Sequence, residues 1–176
     1  MKEKKNEKLK TLWQAIIFVI VSLLVTLIQL ILVNLLYFLL QNYKEPLPAY
    51  LKVIFSENIV GKNHDNWGYV LPFLLSNLIA NAIGYFVNKK KTFKSNAPLW
   101  HFIIYIVILL ALILFTTWIQ GVVVNALNNT NINILIVLAP TIASLCAGTI
   151  QMLSLFPLQK YVLLKESTSY WSTFSF

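Results

Sequence analysis

The chain is poor in charged residues, which make up 11% of its 176 residues, whereas a typical globular domain contains about 25%. It has no arginine, six acidic residues and two histidines. A single cysteine, Cys146, excludes an internal disulfide framework. His64 and Asp65 are adjacent but have no third ligand type nearby, so they predict a solvated turn rather than a metal site.

Hydrophobic residues are abundant instead. They form 58% of the chain, and the mean hydropathy is +0.71. A protein of this size cannot bury so many of them in one water-facing core. The composition therefore predicts an all-α integral membrane protein. Its net charge of +8 comes from lysines beside the apolar runs, without a nucleic-acid-binding module, so membrane lipid and not nucleic acid is the expected partner.

Four spans can be counted along the chain. Residues 11–43, 66–88 and 95–159 carry no charge if His101 is neutral. About 20 helical residues cross the hydrocarbon layer, so the last window accommodates two spans on either side of the polar segment NALNNTNIN. We predict helices over residues 12–39, 68–87, 99–124 and 132–158. The corresponding organisation is a basic cytoplasmic tail (1–11), one membrane domain (12–160) with connections at 41–67, 88–98 and 125–131, and a cytoplasmic C-terminal tail (161–176).

Lysine is concentrated on one side of these spans, with 11 residues there and 3 on the other side. Because lysines in short loops resist translocation, both termini are predicted to be cytoplasmic in a multi-pass plasma-membrane protein. The absence of arginine, together with frequent lysine and asparagine, indicates a bacterial genome rich in A and T.

The external connection 41–67 contains an apolar piece, residues 47–55, for which two placements are equally expected: on the outer leaflet, or packed over the helix ends.

Polar residues recur at helical spacing inside the second and fourth predicted helices. At 100° per residue, each set falls within about 60° to 80° of one helix face. Such stripes either line a polar path through the membrane or pack helices together through small residues and interhelical hydrogen bonds. The sets are Asn77, Asn81, Gly84 and Asn88 in the second helix, and Thr141, Ser144, Gly148, Gln151 and Gln159 in the fourth.

Both stripes end in related motifs. The second helix is followed by NKKKTF, residues 88–93, and the fourth by QKYVLL, residues 159–164. Each has an amide followed by lysine, and the two lie 71 residues apart. The resemblance between the two motifs predicts that helices three and four repeat helices one and two, as two helical hairpins in parallel orientation about an axis along the membrane normal.

The run SNLIANAIGYFVNKKKTF, residues 76–93, resembles the signature of GtrA-like proteins, in which a polar second helix ends in Asn-Arg, two variable residues and Thr/Val-Phe. The resemblance covers the four spans, residues 12–164. There are departures. Lys89 stands where the family usually has arginine, which replaces a bidentate phosphate-binding fork with a mobile point charge. Val162 and Leu164 stand where the family often has aromatic residues.

The resemblance implies a component of cell-surface polysaccharide or teichoic acid glycosylation that moves a polyprenyl-phosphate-linked sugar from the inner to the outer leaflet. Four helices are few for enclosing such a headgroup, so a homo-oligomer or a glycosyltransferase partner is expected. The implied phosphate-binding residues are Lys89, Lys91 and Lys160. The implied sugar-binding residues are Asn77, Asn81, Asn88, Ser144, Gln151 and Gln159, whose amides and hydroxyl donate and accept hydrogen bonds.

Three alternatives differ in class. A non-transporting scaffold for a glycosyltransferase would use the same stripes as docking surfaces. A small proton-coupled multidrug exporter would need a carboxylate inside a span, and the spans contain none. An enzyme would need a nucleophile, an acid–base pair or a metal-ligand group, and no such constellation occurs in the sequence, so no cofactor is expected either.

Overall fold

The computed structural model describes residues 2–40, 42–55, 66–130 and 132–165. All regular elements in these ranges are helical. Four segments, Glu7–Leu40, Trp67–Thr92, Leu99–Asn128 and Asn133–Leu163, are long and apolar enough to cross a membrane. The prediction of an all-α protein with four helices of membrane-spanning length and apolarity is confirmed for the described residues. The elements are α1 (Lys2–Leu40), α2 (Ala49–Lys52), α3 (Trp67–Val87), α4 (Leu99–Asn128) and α5 (Asn133–Pro157), with π-helical turns at Asn88–Thr92 and Leu158–Leu163.

The helices extend beyond the predicted spans. α1 begins at Lys2, within the segment predicted as a tail, because the lysines, glutamates and leucine there are good helix formers without an intervening glycine or proline. α4 continues to Asn128, into the predicted asparagine-rich turn. The second π turn extends to Leu163, past the predicted end of the membrane domain. His64, Asp65 and residues 166–176 lie outside the described residues.

The most extensive contacts pair α1 with α3 and α4 with α5, while contacts between α1 and α5 are sparse. Gly84 permits the close approach of α1 and α3, because a Cβ at this position would lie 2.6 Å from Val25 Cγ2. Val25 itself is buried in a small cluster with Val21 and Ala80. The bundle therefore consists of two tightly packed helix pairs with a looser junction between them.

One end of the bundle gathers the start of α1 and both π turns. The Lys160 ammonium donates a hydrogen bond to Thr11 Oγ1 at 2.6 Å. Ser95 Oγ, in the connection after the first π turn, donates to the Lys165 carbonyl oxygen at 2.9 Å. We call this the motif end. The lysine-rich segments after α3 and α5 and before the α1 span thus lie at the same end.

The opposite end is closed by the connection between α1 and α3. The Trp67 amide donates to the Glu45 carbonyl oxygen at 3.0 Å. Leu47 and Phe55 are buried against Val70, whereas Tyr50 is 72% exposed. Leu51 and Ile54 pack against the same cluster. Within the part that the structure describes, the apolar piece 47–55 therefore packs over the helix ends, and its placement on the outer leaflet stays a prediction.

Candidate functional site

A cavity of about 340 Å³ lies between the four spans. Its lining comes from α1, α3, α4, α5 and both π turns. The structure brings together all the side chains that the sequence assigns to a sugar path. These are Asn77, Asn81, Asn88, Ser144, Gln151 and Gln159. Gly84 and Gly148 from the same stripes also line the cavity, whereas Thr141 is exposed and is not among the lining residues.

The other two helices contribute polar side chains that the sequence analysis did not select. On both, the polar residues recur at intervals of three or four, the same signal that identified the stripes on α3 and α5. Their presence means that all four spans turn polar groups toward the cavity. The residues are Ser22, Thr26 and Gln29 on α1, and Thr116, Thr117 and Gln120 on α4.

The amides on α3 are connected to one another and to α4. Asn81 Nδ2 donates to Asn77 Oδ1 at 2.7 Å and to the Asn77 carbonyl oxygen at 2.9 Å. The Tyr105 hydroxyl of α4 donates to the Asn81 carbonyl oxygen at 3.3 Å. Asn77 and Asn81 are buried. These bonds hold the amide groups in position along one wall of the cavity.

Several hydroxyl groups in the lining use their hydrogen atoms within their own helix. Ser22 Oγ donates to the Phe18 carbonyl oxygen at 2.8 Å, and Thr26 Oγ1 donates to that of Ser22 at 3.0 Å. Thr116 Oγ1 donates to the Leu112 carbonyl oxygen at 2.8 Å, and Thr117 Oγ1 donates to that of Ile113 at 2.8 Å. Because each hydroxyl has one hydrogen and two lone pairs, these groups present acceptors to the cavity.

The two motifs that are related in sequence form the same backbone turn. The Phe93 amide donates to the Asn88 carbonyl oxygen at 2.9 Å, and the Leu164 amide donates to that of Gln159 at 2.7 Å. Both bonds connect residues five positions apart, which is the π-helical pattern. Asn88 and Gln159 are 3% and 1% exposed. The turn in each case directs an amide side chain into the cavity at its motif end.

The three lysines assigned to phosphate lie at the motif end but are not among the lining residues. The Lys89 ammonium donates to the Ala97 carbonyl oxygen. The Lys160 ammonium, besides its bond to Thr11, lies 5.3 Å from the ring centroid of Tyr161. Lys91 is exposed. The structure therefore separates the predicted site into a neutral polar cavity and a cationic end beside it.

The cavity reaches the surface between α1 and α5. Thr26 on α1 and Ser144 and Gly148 on α5 line the cavity and are also exposed. A Cβ added to Gly148 would have nothing within 4 Å. Since few contacts join α1 to α5, the opening faces sideways, toward the hydrocarbon that would surround the spans.

Among the described residues, no group of three or more His, Cys, Asp and Glu side chains could hold a metal ion. Comparison of the chain with models of protein families, with curated proteins and with solved structures gives no match.

Proposed function

We propose that this chain is a GtrA-like membrane component that moves a polyprenyl-phosphate-linked sugar from the inner to the outer leaflet. The observation that carries the proposal is the cavity between the spans. Helical spacing places Asn77 and Asn81 on one face of α3 and Ser144 and Gln151 on one face of α5. These four residues line one polar space of about 340 Å³ together with Gln159. A sugar that leaves water for the bilayer loses the hydrogen bonds of its hydroxyls, which is costly. A space lined by amides and hydroxyls replaces those hydrogen bonds.

In this proposal the motif end faces the cytoplasm, with both termini on that side, and the two hairpins are parallel repeats. The lipid phosphate lies near Lys89, Lys91 and Lys160 while the sugar enters the cavity. The prenyl chain extends through the opening between α1 and α5 and remains in the surrounding lipid. A phosphodiester that leaves a negative cytoplasm gains about 2.3 kcal/mol per 100 mV of membrane potential, so no coupled ion is required.

A scaffold that holds a glycosyltransferase is the second candidate, and the lysine contacts favour it. Lys89 bonds to the Ala97 carbonyl oxygen and Lys160 to Thr11 Oγ1. In these positions the two ammonium groups fasten the motif end to its neighbours, which is a structural task that needs no phosphate.

Leaflet exchange of a polyprenyl-phosphate sugar by the chain reconstituted in liposomes tests the proposal. We expect faster exchange with the native chain than with empty liposomes. The double variant Lys89→Gln, Lys160→Gln should slow exchange, whereas the control Lys90→Gln, at an exposed neighbouring lysine, should not. If liposomes with the native chain exchange the lipid no faster than empty liposomes, and the chain binds a glycosyltransferase tightly, transport is rejected and the scaffold is supported.

A further inference from the structure

The two motifs differ at one internal hydrogen bond. In the first motif, Thr92 Oγ1 donates to Asn88 Oδ1 at 2.7 Å, so the side-chain oxygen of the amide is satisfied within the turn. In the second motif, Gln159 takes the place of Asn88 and Leu163 takes the place of Thr92. Leucine has no hydroxyl, and the equivalent bond cannot form.

The side-chain oxygen of Gln159 consequently remains open. Gln159 is 1% exposed, and none of the described residues donates a hydrogen bond to its Oε1. The Tyr105 hydroxyl also lines the cavity, but it does not supply this donor, because its single hydrogen is directed at the Asn81 carbonyl oxygen. A buried acceptor without a donor is costly to maintain, and this one belongs to a residue that lines the cavity.

The rest of the cavity lining indicates what kind of ligand group supplies the hydrogen-bond donor that Gln159 Oε1 lacks. The hydroxyl groups of Ser22, Thr26, Thr116 and Thr117 already donate to their own helices and present lone pairs. No lysine, histidine, aspartate or glutamate is among the described residues around the cavity. A neutral space in which hydroxyl lone pairs lie beside amides, which both donate and accept, matches an uncharged group with several hydroxyls, such as a polyhydroxylated headgroup. It is a poorer match for an anion, which only accepts and has no cation here to pair with.

We propose that Gln159 Oε1 is the recognition acceptor for a hydroxyl of an uncharged, polyhydroxylated headgroup on an amphipathic ligand. The charged part of the ligand stays outside the cavity, and its apolar chain leaves between α1 and α5. This inference rests on the proposed function and adds to it one recognition atom, the buried side-chain oxygen of Gln159.

Two detergents with the same alkyl chain provide the test. Octyl glucoside carries several hydroxyl donors, whereas octyl tetraethylene glycol ether carries ether acceptors and one terminal hydroxyl. Each is titrated below its micellar concentration into the full chain in lipid nanodiscs, and binding is followed by tryptophan fluorescence and by the shift in Tm. The native chain should bind octyl glucoside several-fold more tightly than the ether.

The variant Gln159→Met removes the open acceptor at nearly constant side-chain volume. We expect it to bind octyl glucoside about 3- to 10-fold more weakly, the value of one hydrogen bond, while its Tm without ligand stays the same or rises. Tyr85→Phe is the matched control. The Tyr85 hydroxyl is also buried without a partner among the described residues, but Tyr85 does not line the cavity, so glucoside affinity should not change.

If Gln159→Met does not fold, Leu163→Thr replaces it, because a threonine here offers Gln159 the internal donor that Thr92 offers Asn88. This variant should also bind octyl glucoside more weakly. Equal affinity of the native chain for the two detergents, or unchanged glucoside affinity in the folded variant, overturns the inference. Leaflet exchange measured in parallel separates the role of Gln159 from transport itself. A normal exchange rate in Gln159→Met rejects only the role of Gln159. Absence of exchange in the native chain rejects transport.

Discussion

Replacing Gly84 by alanine should separate α1 from α3. The new Cβ would lie 2.6 Å from Val25 Cγ2. Val25 is 9% exposed and β-branched, so its side chain has little freedom to rotate away inside a helix. Overpacking of this kind costs about 1–3 kcal/mol, and the better helix propensity of alanine offsets about 0.5–1 kcal/mol. The expected net loss of stability is about 1–2 kcal/mol.

Gly148→Ala is the matched control. Gly148 also lies inside a membrane-spanning helix and lines the same cavity. A Cβ there would meet nothing within 4 Å. Only the propensity effect remains, so this variant should be neutral or more stable by up to about 1 kcal/mol.

Unfolding by increasing mole fractions of sodium dodecyl sulfate in dodecyl maltoside micelles, followed by circular dichroism, measures both variants. Val25→Ala is added to complete a double-mutant cycle. Because the smaller side chain makes room for the alanine at residue 84, the cycle should give a favourable coupling of about 1–2 kcal/mol. Equal stabilities of Gly84→Ala and Gly148→Ala, or a coupling near zero, would refute the close contact between α1 and α3.

Three further results are expected. Phe93→Ala removes a ring that is 1% exposed in the main core cluster, and the same titration should show a loss of about 3–5 kcal/mol. Ser95→Ala removes the hydroxyl that donates to the Lys165 carbonyl oxygen, and should cost about 1 kcal/mol; a loss below the error of the titration would show that this bond does not hold the motif end together. Gly148→Trp places a large ring at the opening between α1 and α5, and should slow leaflet exchange at least tenfold in liposomes while the unfolding midpoint stays close to that of Gly148→Ala; normal exchange would contradict entry by this route.

Helical geometry explains why much of the cavity could be anticipated. A span has a fixed rise and a fixed rotation per residue, so charge-free length predicted four helices, and spacing predicted that Asn77, Asn81 and Asn88 share one face. The same calculation would have found Ser22, Thr26 and Gln29 on α1. Serine and threonine are nevertheless a weak signal for a polar path, because they commonly bond to the backbone of their own helix, as Ser22 and Thr26 do here.

Positions of the lysines did not follow from spacing. Lys89 and Lys160 come directly after polar stripes in the sequence, yet their ammonium groups bond to Ala97 and Thr11, partners set by the path of a connection and by the packing of α1. A long, flexible side chain reaches several directions from one backbone position, so local sequence does not indicate which neighbour it meets.

The properties of the chain thus fall into two groups, one that single segments determine and one that depends on how the segments pack. Membrane insertion, helical class and the polar faces arise within single segments, because hydrocarbon thickness and helix pitch act on each span separately. The cavity, its opening between α1 and α5, and the unpaired oxygen of Gln159 arise where segments meet. They depend on which helices pack closely, as Gly84 allows for α1 and α3, and on whether a donor such as Thr92 happens to lie within reach of a buried amide.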